Sequence, residues 1–369
     1  MPAAADRTLR VIQWATGGVG RAAIEGIVAH PDLELVGVWV SSDEKVGIDA
    51  GTLAGLGREL GVAATNDADA LLALKPDCIV HTAMADNRLF EAIDDLARFL
   101  RAGIDVVSSS PVFLQWPEGV VGPEMSDPVV NAAKEGGASL FVNGVDPGFA
   151  NDVLPLTLTG ISERIDEVRC VEVLNYNTYD QAMVLFDIMG FGGSLDEVPF
   201  ILSPGILTTA WGSVVRQIAA GLDVELDGIE EWHERVAAPE AFTVDAGRIE
   251  KGTTAGMHFE VRGMKDGRAV VVLEHATRLR DDLAPDWPQP AGDGCYRVIV
   301  SGEPNYTLDL QLLGSDGDHN TAGLKATAMR LVNAIPAVVA AQPGLLSTLD
   351  LPLVTGRGLV TGSGSRPDA

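Results

Sequence analysis

The feature that most constrains this chain is a run of small residues near its start, Ala15-Thr16-Gly17-Gly18-Val19-Gly20. It separates an apolar stretch over 9–15 (LRVIQWA) from a stretch with apolar positions at Ile24, Ile27 and Val28. The first reads as a buried strand and the second as a helix that Pro31 stops. A glycine-rich passage from strand to helix leaves unpaired N–H groups at the helix start with no side chains over them. An anionic diphosphate needs that surface in order to rest against backbone. Gly17 falls at the close-approach position and Gly20 at the helix-packing position. The usual G-x-G-x-x-G pattern has glycine where this chain has Ala15, which fits the turn on condition that its φ stays negative.

Beyond the turn, apolar runs at 33–41, 78–83, 105–109 and 139–145 read as strands, with helices at 87–101 (ended by Gly103) and 128–135. Short apolar strands alternating with helices predict a parallel sheet covered on both faces. We therefore expect an α/β, Rossmann-type dinucleotide-binding domain over 1–150, with no firm strand in 43–65. After Gly148 the rhythm changes. Strands are expected at 166–176, 257–263, 269–277, 296–301 and 306–312, and helices at 178–190 and 206–220 with a glycine-rich loop at 190–194. Strands joined by short turns predict an α+β domain with an antiparallel sheet over 151–321. A long helical pattern at 322–341, broken late by Pro336, and a disordered tail at 361–369 follow. Asp266-Gly267 favours a two-residue hairpin pairing Lys265 with Arg268, and that register projects His258 opposite His275. With no third ligand in view, the pair reads as sheet surface, and no metal is expected.

Charge and cysteine usage exclude several classes. A net charge of −26 over 369 residues repels phosphate backbones and anionic membranes, so neither nucleic acid nor membrane is expected as a partner. Cys78, Cys170 and Cys295 are far apart and form no C-x-x-C pair, which argues against a disulfide framework. The start has no apolar segment of signal type, and no apolar run reaches the length of a membrane span. A cytoplasmic location is expected by elimination.

In an open α/β sheet the ligand lies past the carboxyl ends of the strands. Candidate cofactor contacts are therefore the turn at 15–20, then Thr82, Ala83 and Met84, then Ser108 and Ser109, then Asn143, Pro147 and Gly148, with Asp146 beside them. The end of the second strand discriminates between cofactors. NAD users place an acid there for the ribose 2′-OH, whereas this chain has Ser41-Ser42 followed by Asp43, Glu44 and Lys45. Hydroxyls plus a cation suit a 2′-phosphate, so NADP is expected, with NAD through Asp43 or Glu44 as the alternative. Two proton donors are candidates: Tyr176, flanked by Asn175 and Asn177, and His319 in the polar loop 315–320. His81 reads as a core histidine. Trp211, Trp232 and Trp287 pack the second domain or line its pocket. The apolar stretch 186–200 is compatible with a hydrophobic substrate and equally with core packing.

The segments VIQWATGGVG, HPDLELVGVWV, EKVGIDAGTLAGL, NGVDPGFANDVLP and ATAMRLVNAIPAVVAAQPGLLSTLDLP resemble the dihydrodipicolinate-reductase-like group. Within it they resemble 2,4-diaminopentanoate dehydrogenase and the native amine dehydrogenases, over about residues 9–355. The resemblance implies a two-domain homodimer that holds NAD(P) on its first domain. The second domain (151–321) would form the dimer sheet and cover a small-molecule substrate, and residues 322–360 would pack back on the first. It also implies hydride transfer between nicotinamide and an amine or imine carbon. One departure stands out. The family's glutamate, in a run like V-V-T-T-x-E, is replaced in Val106-Val107-Ser108-Ser109-Ser110-Pro111, and Glu118 lies seven residues further on. A ketone or aldehyde reductase without amine activity, and a non-catalytic NADP-binding protein, are the competing expectations.

Overall fold

The computed structural model describes residues 7–85 and 88–360. The tail expected at 361–369, and Asn87 at the expected start of a helix, lie outside the described residues. The chain divides into two compact units, one of residues 1–117, 121–145 and 324–369, the other of 118–120 and 146–323. Among the described residues, no helix is long and apolar enough to cross a membrane.

The first unit carries strands β1 (Leu9–Trp14), β2 (Leu33–Trp39), β3 (Ala64–Thr65), β4 (Cys78–His81), β5 (Asp105–Ser108) and β6 (Ser139–Val142). Between them run helices α1 (Gly18–Ala29), α2 (Ala50–Ala54), α3 (Ala68–Ala73), α4 (Leu89–Arg101) and α5 (Pro123–Gly136). With β15 (Gly344–Leu346) the strands form one sheet in the order β15-β6-β5-β4-β1-β2-β3, every pair parallel. Val11, Ile12, Ile79, Val80, Val106, Val107 and Phe141 are fully buried. Burial on both faces is why these strands read as unbroken apolar runs. Helix α8 (His319–Val339) closes one face, where Ala328, Leu331, Val332, Ile335 and Val338 pack with Ala23, Ile27 and the strands. Helix α5 starts at Pro123 rather than 128, because Pro123 takes the first helical position while Pro128 is accommodated inside the helix. The strand order reverses direction at β1, with β2 on one side and β4 on the other, so the carboxyl ends of β1 and β4 frame the crevice where such sheets bind nucleotides.

The second unit contains α6 (Val153–Thr159), β7 (Arg164–Asn175), α7 (Ile206–Gly221), β8 (Gly228–Ala237) and the small hairpin β9 (Phe242–Val244) with β10 (Gly247–Ile249). Long strands β11 (Thr254–Lys265), β12 (Arg268–Arg278) and β13 (Gly294–Glu303) follow, then β14 (Tyr306–Leu310). Its sheet has the order β14-β13-β7-β12-β11-β8 and is mixed, not wholly antiparallel as expected: β12 runs parallel to β7. The crossover through α7 returns the chain to β8, and the meander β8–β11–β12 then docks on β7 by its third strand. The expected helix at 178–190 is instead one wide π-helical turn, Met183–Ile188, which ends where Gly190 takes a left-handed φ of 75°. Leu185, Met189 and Phe191 thereby all enter the core formed with α7 and one sheet face.

The hairpin at Asp266-Gly267 forms as expected, with φ of 51° and 72° and Lys265 opposite Arg268. The projected histidine pair does not form. A bulge between Gly263 and Met264 shifts the register, so Phe259 faces His275 and His258 faces Ala276. The extra residue is Val270 on β12, between Ala269, which pairs with Met264, and Val271, which pairs with Gly263. A one-residue slip inverts every side chain, so the two histidines occupy opposite faces of the sheet.

The tightest backbone approach in the first unit is between the ends of α4 and α5, where a Cβ on Gly136 would sit 1.8 Å from the Leu100 carbonyl oxygen. Gly136→Ala is expected to destabilise by about 1–3 kcal/mol through overpacking. Thermal unfolding checks this; an unchanged midpoint would show that the helix ends part without cost.

Candidate functional site

Residue Gly17 caps α1 with extended backbone, and no side chain caps the helix. A Cβ built on Gly17 meets nothing within 4 Å, so open space borders the backbone where α1 begins. Gly20 is the opposite case: its Cβ would be 2.2 Å from the Ala15 carbonyl oxygen and 2.9 Å from Thr82 Oγ1. Helix and strand can meet this closely only through glycine. Ala15 departs from the expected conformation. Its φ is +76°, in the left-handed region, which for alanine costs about 1–2 kcal/mol. The turn is held by a residue the sequence reading passed over. Gln13, fully buried, donates from Nε2 to the Ala15 carbonyl (2.8 Å) and to Thr82 Oγ1 (2.8 Å). The available signal was an amide inside an otherwise apolar strand, where a buried polar group must have found partners.

Lys45 ends a short 3-10 turn, Asp43–Lys45, and its Nζ donates to Thr16 Oγ1 at 3.2 Å, bringing a cation to the glycine turn. Ser41 is exposed and Ser42 precedes the same turn. Asp43 accepts from Asn66 Nδ2 (2.8 Å). Thr82 Oγ1 also donates to the Trp14 carbonyl (3.1 Å), and the Ala83 carbonyl accepts from Ser110 Oγ (2.7 Å). Met84 is half-buried, and the Ser109 N–H donates to the His81 carbonyl. Ser108 is buried; its Oγ donates to the Ser110 carbonyl and meets His81 Nδ1 at 2.9 Å. Burial pushes the His81 imidazole down to about 3, so it is a neutral core group. Asn143 Oδ1 accepts from Arg330 Nε (2.8 Å).

The second unit gathers charge on its core-facing side. Phe259, His275, Glu172 and Tyr296 form one row across β11, β12, β7 and β13. His275 Nδ1 lies 3.4 Å from Glu172 Oε1, and its Nε2 lies 3.4 Å from Asp146 Oδ1. Trp211 Nε1 donates to Asp146 (2.9 Å), and Tyr176 OH donates to Glu172 (2.9 Å). Phe259 stacks on the imidazole and Trp211 meets it edge-on. The Asp146, Glu172 and His275 side chains are only 4–6% exposed. Burial disfavours the imidazolium, but the two carboxylates outweigh it and push the pKa up to about 10. Burial raises the Asp146 carboxyl, yet the charge and hydrogen bond of His275 bring it below its ordinary value. Burial and Glu172 push the Tyr176 phenol well up, keeping it neutral.

The oxygens and nitrogen of Asp146, Glu172 and His275 converge within 4.8 Å, as do those of His258, Glu260 and Glu274 on the other face. Where the sequence showed no third ligand beside either histidine, the structure sets two carboxylates next to each. Pro147 follows a cis bond to Asp146, and the Gly148 N–H donates to Asn151 Oδ1. His319 is not in an exposed loop as expected. It opens α8, is buried, and its Nε2 donates to the Asn175 carbonyl at 2.6 Å. Trp287 is buried under Arg278, while Trp232 lies half-exposed against His258.

Residues 149–360 match the 2,4-diaminopentanoate dehydrogenase C-terminal domain family. The chain belongs to the 2,4-diaminopentanoate dehydrogenase family. It is 43% identical over 349 residues to an amine dehydrogenase of Streptomyces virginiae, covering 94% of this chain and 96% of that one. The 2,4-diaminopentanoate dehydrogenase of Acetoanaerobium sticklandii is 24% identical over 273 residues, covering 73% of this chain and 72% of the relative. The solved amine dehydrogenase of Mycobacterium smegmatis shares the fold, with a TM-score of 0.77 at 23% identity over 95% of this chain and 98% of that one. This family member is an NAD(P)-dependent dehydrogenase, and its Rossmann unit and mixed-sheet unit are those of the family fold.

Two outcomes follow for this dehydrogenase. Ala15→Gly should stabilise by about 1 kcal/mol by relieving the left-handed alanine, read as a higher thermal midpoint; a lower one would show that Ala15 is not strained. The pKa of His275 is raised on folding from an unfolded value near 6.5 to about 10. Its imidazolium therefore contributes fully below about pH 6.5 and loses that contribution as pH climbs through about 10. Midpoints measured from pH 6 to 10.5 should fall more steeply for wild type than for His275→Gln, and parallel curves would contradict the assignment.

Proposed function

We propose that this protein is an amine dehydrogenase that uses NADP to interconvert a small, hydrophobic amine and its imine or carbonyl form. The observation that carries the reading is the uncapped start of α1 with open space over Gly17. Backbone N–H groups and the helix dipole there suit a diphosphate. Ala15, Thr16, Gly17, Gly18, Val19 and Gly20 would hold it, with Lys45 beside Thr16. Bound there, nicotinamide supplies or accepts the hydride. The chain's own groups hold the cofactor in place and exclude water.

Preference for NADP over NAD rests on Ser41, Ser42 and Lys45, and on Asp43 being hydrogen-bonded to Asn66. The amine substrate class is supported by the 43% identity to an amine dehydrogenase. Carbonyl reduction is the second reading, favoured by Pro111 standing where the family glutamate would be. Thr82, Ala83, Met84, Ser108, Ser109, Asn143, Pro147 and Gly148 are proposed to line the cofactor, from their places at and just beyond the strand ends. Ser108, Ala83 and Asn143 are buried with side chain or backbone already engaged, so their part is support. His319, with Nε2 bound to the Asn175 carbonyl, is proposed to fix the end of β7 rather than to donate protons. Homodimer formation, as the family resemblance implies, and a cytoplasmic site of action are part of the reading. Three buried free cysteines fit a reducing compartment.

The test is direct. Excess NADP(H) should raise the thermal midpoint, since a ligand at 100-fold over Kd stabilises by about 2.7 kcal/mol. Gly17→Asp should abolish that rise by placing a side chain and a charge against the diphosphate. No rise with NADP(H) or NAD(H) would remove the cofactor assignment. Ketone reduction assayed with and without ammonia then separates the two chemistries: turnover only with ammonia refutes the carbonyl reading.

A further inference from the structure

Two clusters of buried charge lie on opposite faces of the mixed sheet, and they differ in balance. On one face Glu260 and Glu274 are matched: Arg169 binds both, Arg262 binds Glu260, and His258 Nε2 meets Glu274 at 2.9 Å. That is a structural network. On the other face Asp146 and Glu172 share only the imidazolium of His275, and among the described residues no Lys or Arg pairs with either. The group carries a formal charge of −1 in an apolar setting of Phe259 and Trp211. A buried site with uncompensated negative charge is disposed to accept a proton.

One hydrogen bond and two ion-pair contacts at 3.4 Å link this group. They run from Tyr176 OH to Glu172 Oε1, from Glu172 to His275 Nδ1, and from His275 Nε2 to Asp146 Oδ1. Every member is buried except Tyr176, which is half-exposed at the end of β7 and has Tyr179 stacked on its ring at 4.9 Å. At the other end, Asp146 follows the last residue of β6 by four residues in sequence. With its own proton donated to Glu172, the Tyr176 oxygen still has lone pairs with which to accept.

We infer that Tyr176, Glu172, His275 and Asp146 form a proton relay that takes one proton from the substrate's ammonium nitrogen at the Tyr176 phenol oxygen. This rests on the dehydrogenase reading above. In the oxidative direction an N–H bond of the ammonium breaks and its proton bonds to the Tyr176 oxygen. The phenol's original proton passes to Glu172, which becomes a neutral carboxyl. Loss of that proton frees the nitrogen lone pair to form the C=N bond as the carbon–hydrogen bond breaks; oxidised nicotinamide, when bound, would take up that hydride, and the released proton stays on Glu172. His275 and Asp146 are positioning residues that keep Glu172 in place. In the reductive direction the same atoms return the proton.

The test uses the full-length enzyme, NADP⁺ or NAD⁺, and cyclohexylamine as probe substrate. Tyr176→Phe and Glu172→Gln should each lower kcat at least about 100-fold, the scale of a lost acid–base group. KM for the amine should change little, and the cofactor-induced rise in thermal midpoint should persist. Glu172→Asp should recover part of the lost kcat, which a merely structural role would not predict. Tyr176→Phe removes only a hydroxyl, so it keeps the test valid if Glu172→Gln fails to fold. Turnover within about threefold of wild type in folded Tyr176→Phe overturns the relay alone. Absence of any cofactor-induced rise in the wild type overturns the dehydrogenase reading and the relay with it.

Discussion

The nucleotide corner depends on one buried amide. Gln13 sits on β1 with no exposure and reaches forward to the carbonyl of Ala15, a residue held in a backbone region that alanine disfavours. That hydrogen bond, with the one to Thr82, fixes the carbonyl against which Gly20 packs at a distance only glycine tolerates. Without the clamp the strand would have no reason to turn so sharply, and α1 would not begin with its first N–H groups bare. Trp14 and Trp39, stacked at 4.5 Å with planes 2° apart, brace the same corner across β1 and β2. Local strain here is offset by buried polar and aromatic contacts, as expected where geometry serves binding.

The second unit separates two uses of ionic groups by sheet face. The extra residue Val270 on β12, at the register shift between Gly263 and Met264, puts the two histidines on different faces. His258 joins a matched network of arginines and glutamates. His275 joins two carboxylates, with Phe259 stacked on its ring and Trp211 edge-on to it. The same residue types thus serve support on one side and proton handling on the other, and a one-residue shift in pairing decides between them.

Much of this architecture is legible in the residues. The parallel strands stand out because burial on both faces writes continuous apolar runs, and the turn at 266–267 stands out because only a few dipeptides accept two left-handed residues in succession. Other elements are opaque for physical reasons. Edge strand β8, GIEEWHERVA, is too exposed to carry a period, and three-residue β15 is too short to show one. The bulge inserts one residue, Val270, that no local pattern announces, so extending a hairpin register across it fails. Tyr176 could be singled out as a phenol at a strand end. Its partners come from 172, from the loop after β6 and from β12, and no spacing announces that they meet.

Strand β15 pairs with β6, and α8 fills one face of the parallel sheet, yet both come from the last stretch of the chain. The whole second unit is spelled out between β6 and these closing elements. During synthesis the parallel-sheet unit therefore waits, with one sheet edge unpaired and one apolar face bare, until all of the second unit has been made. A chain stopped inside the second unit would lack this closure and expose a sticky flank.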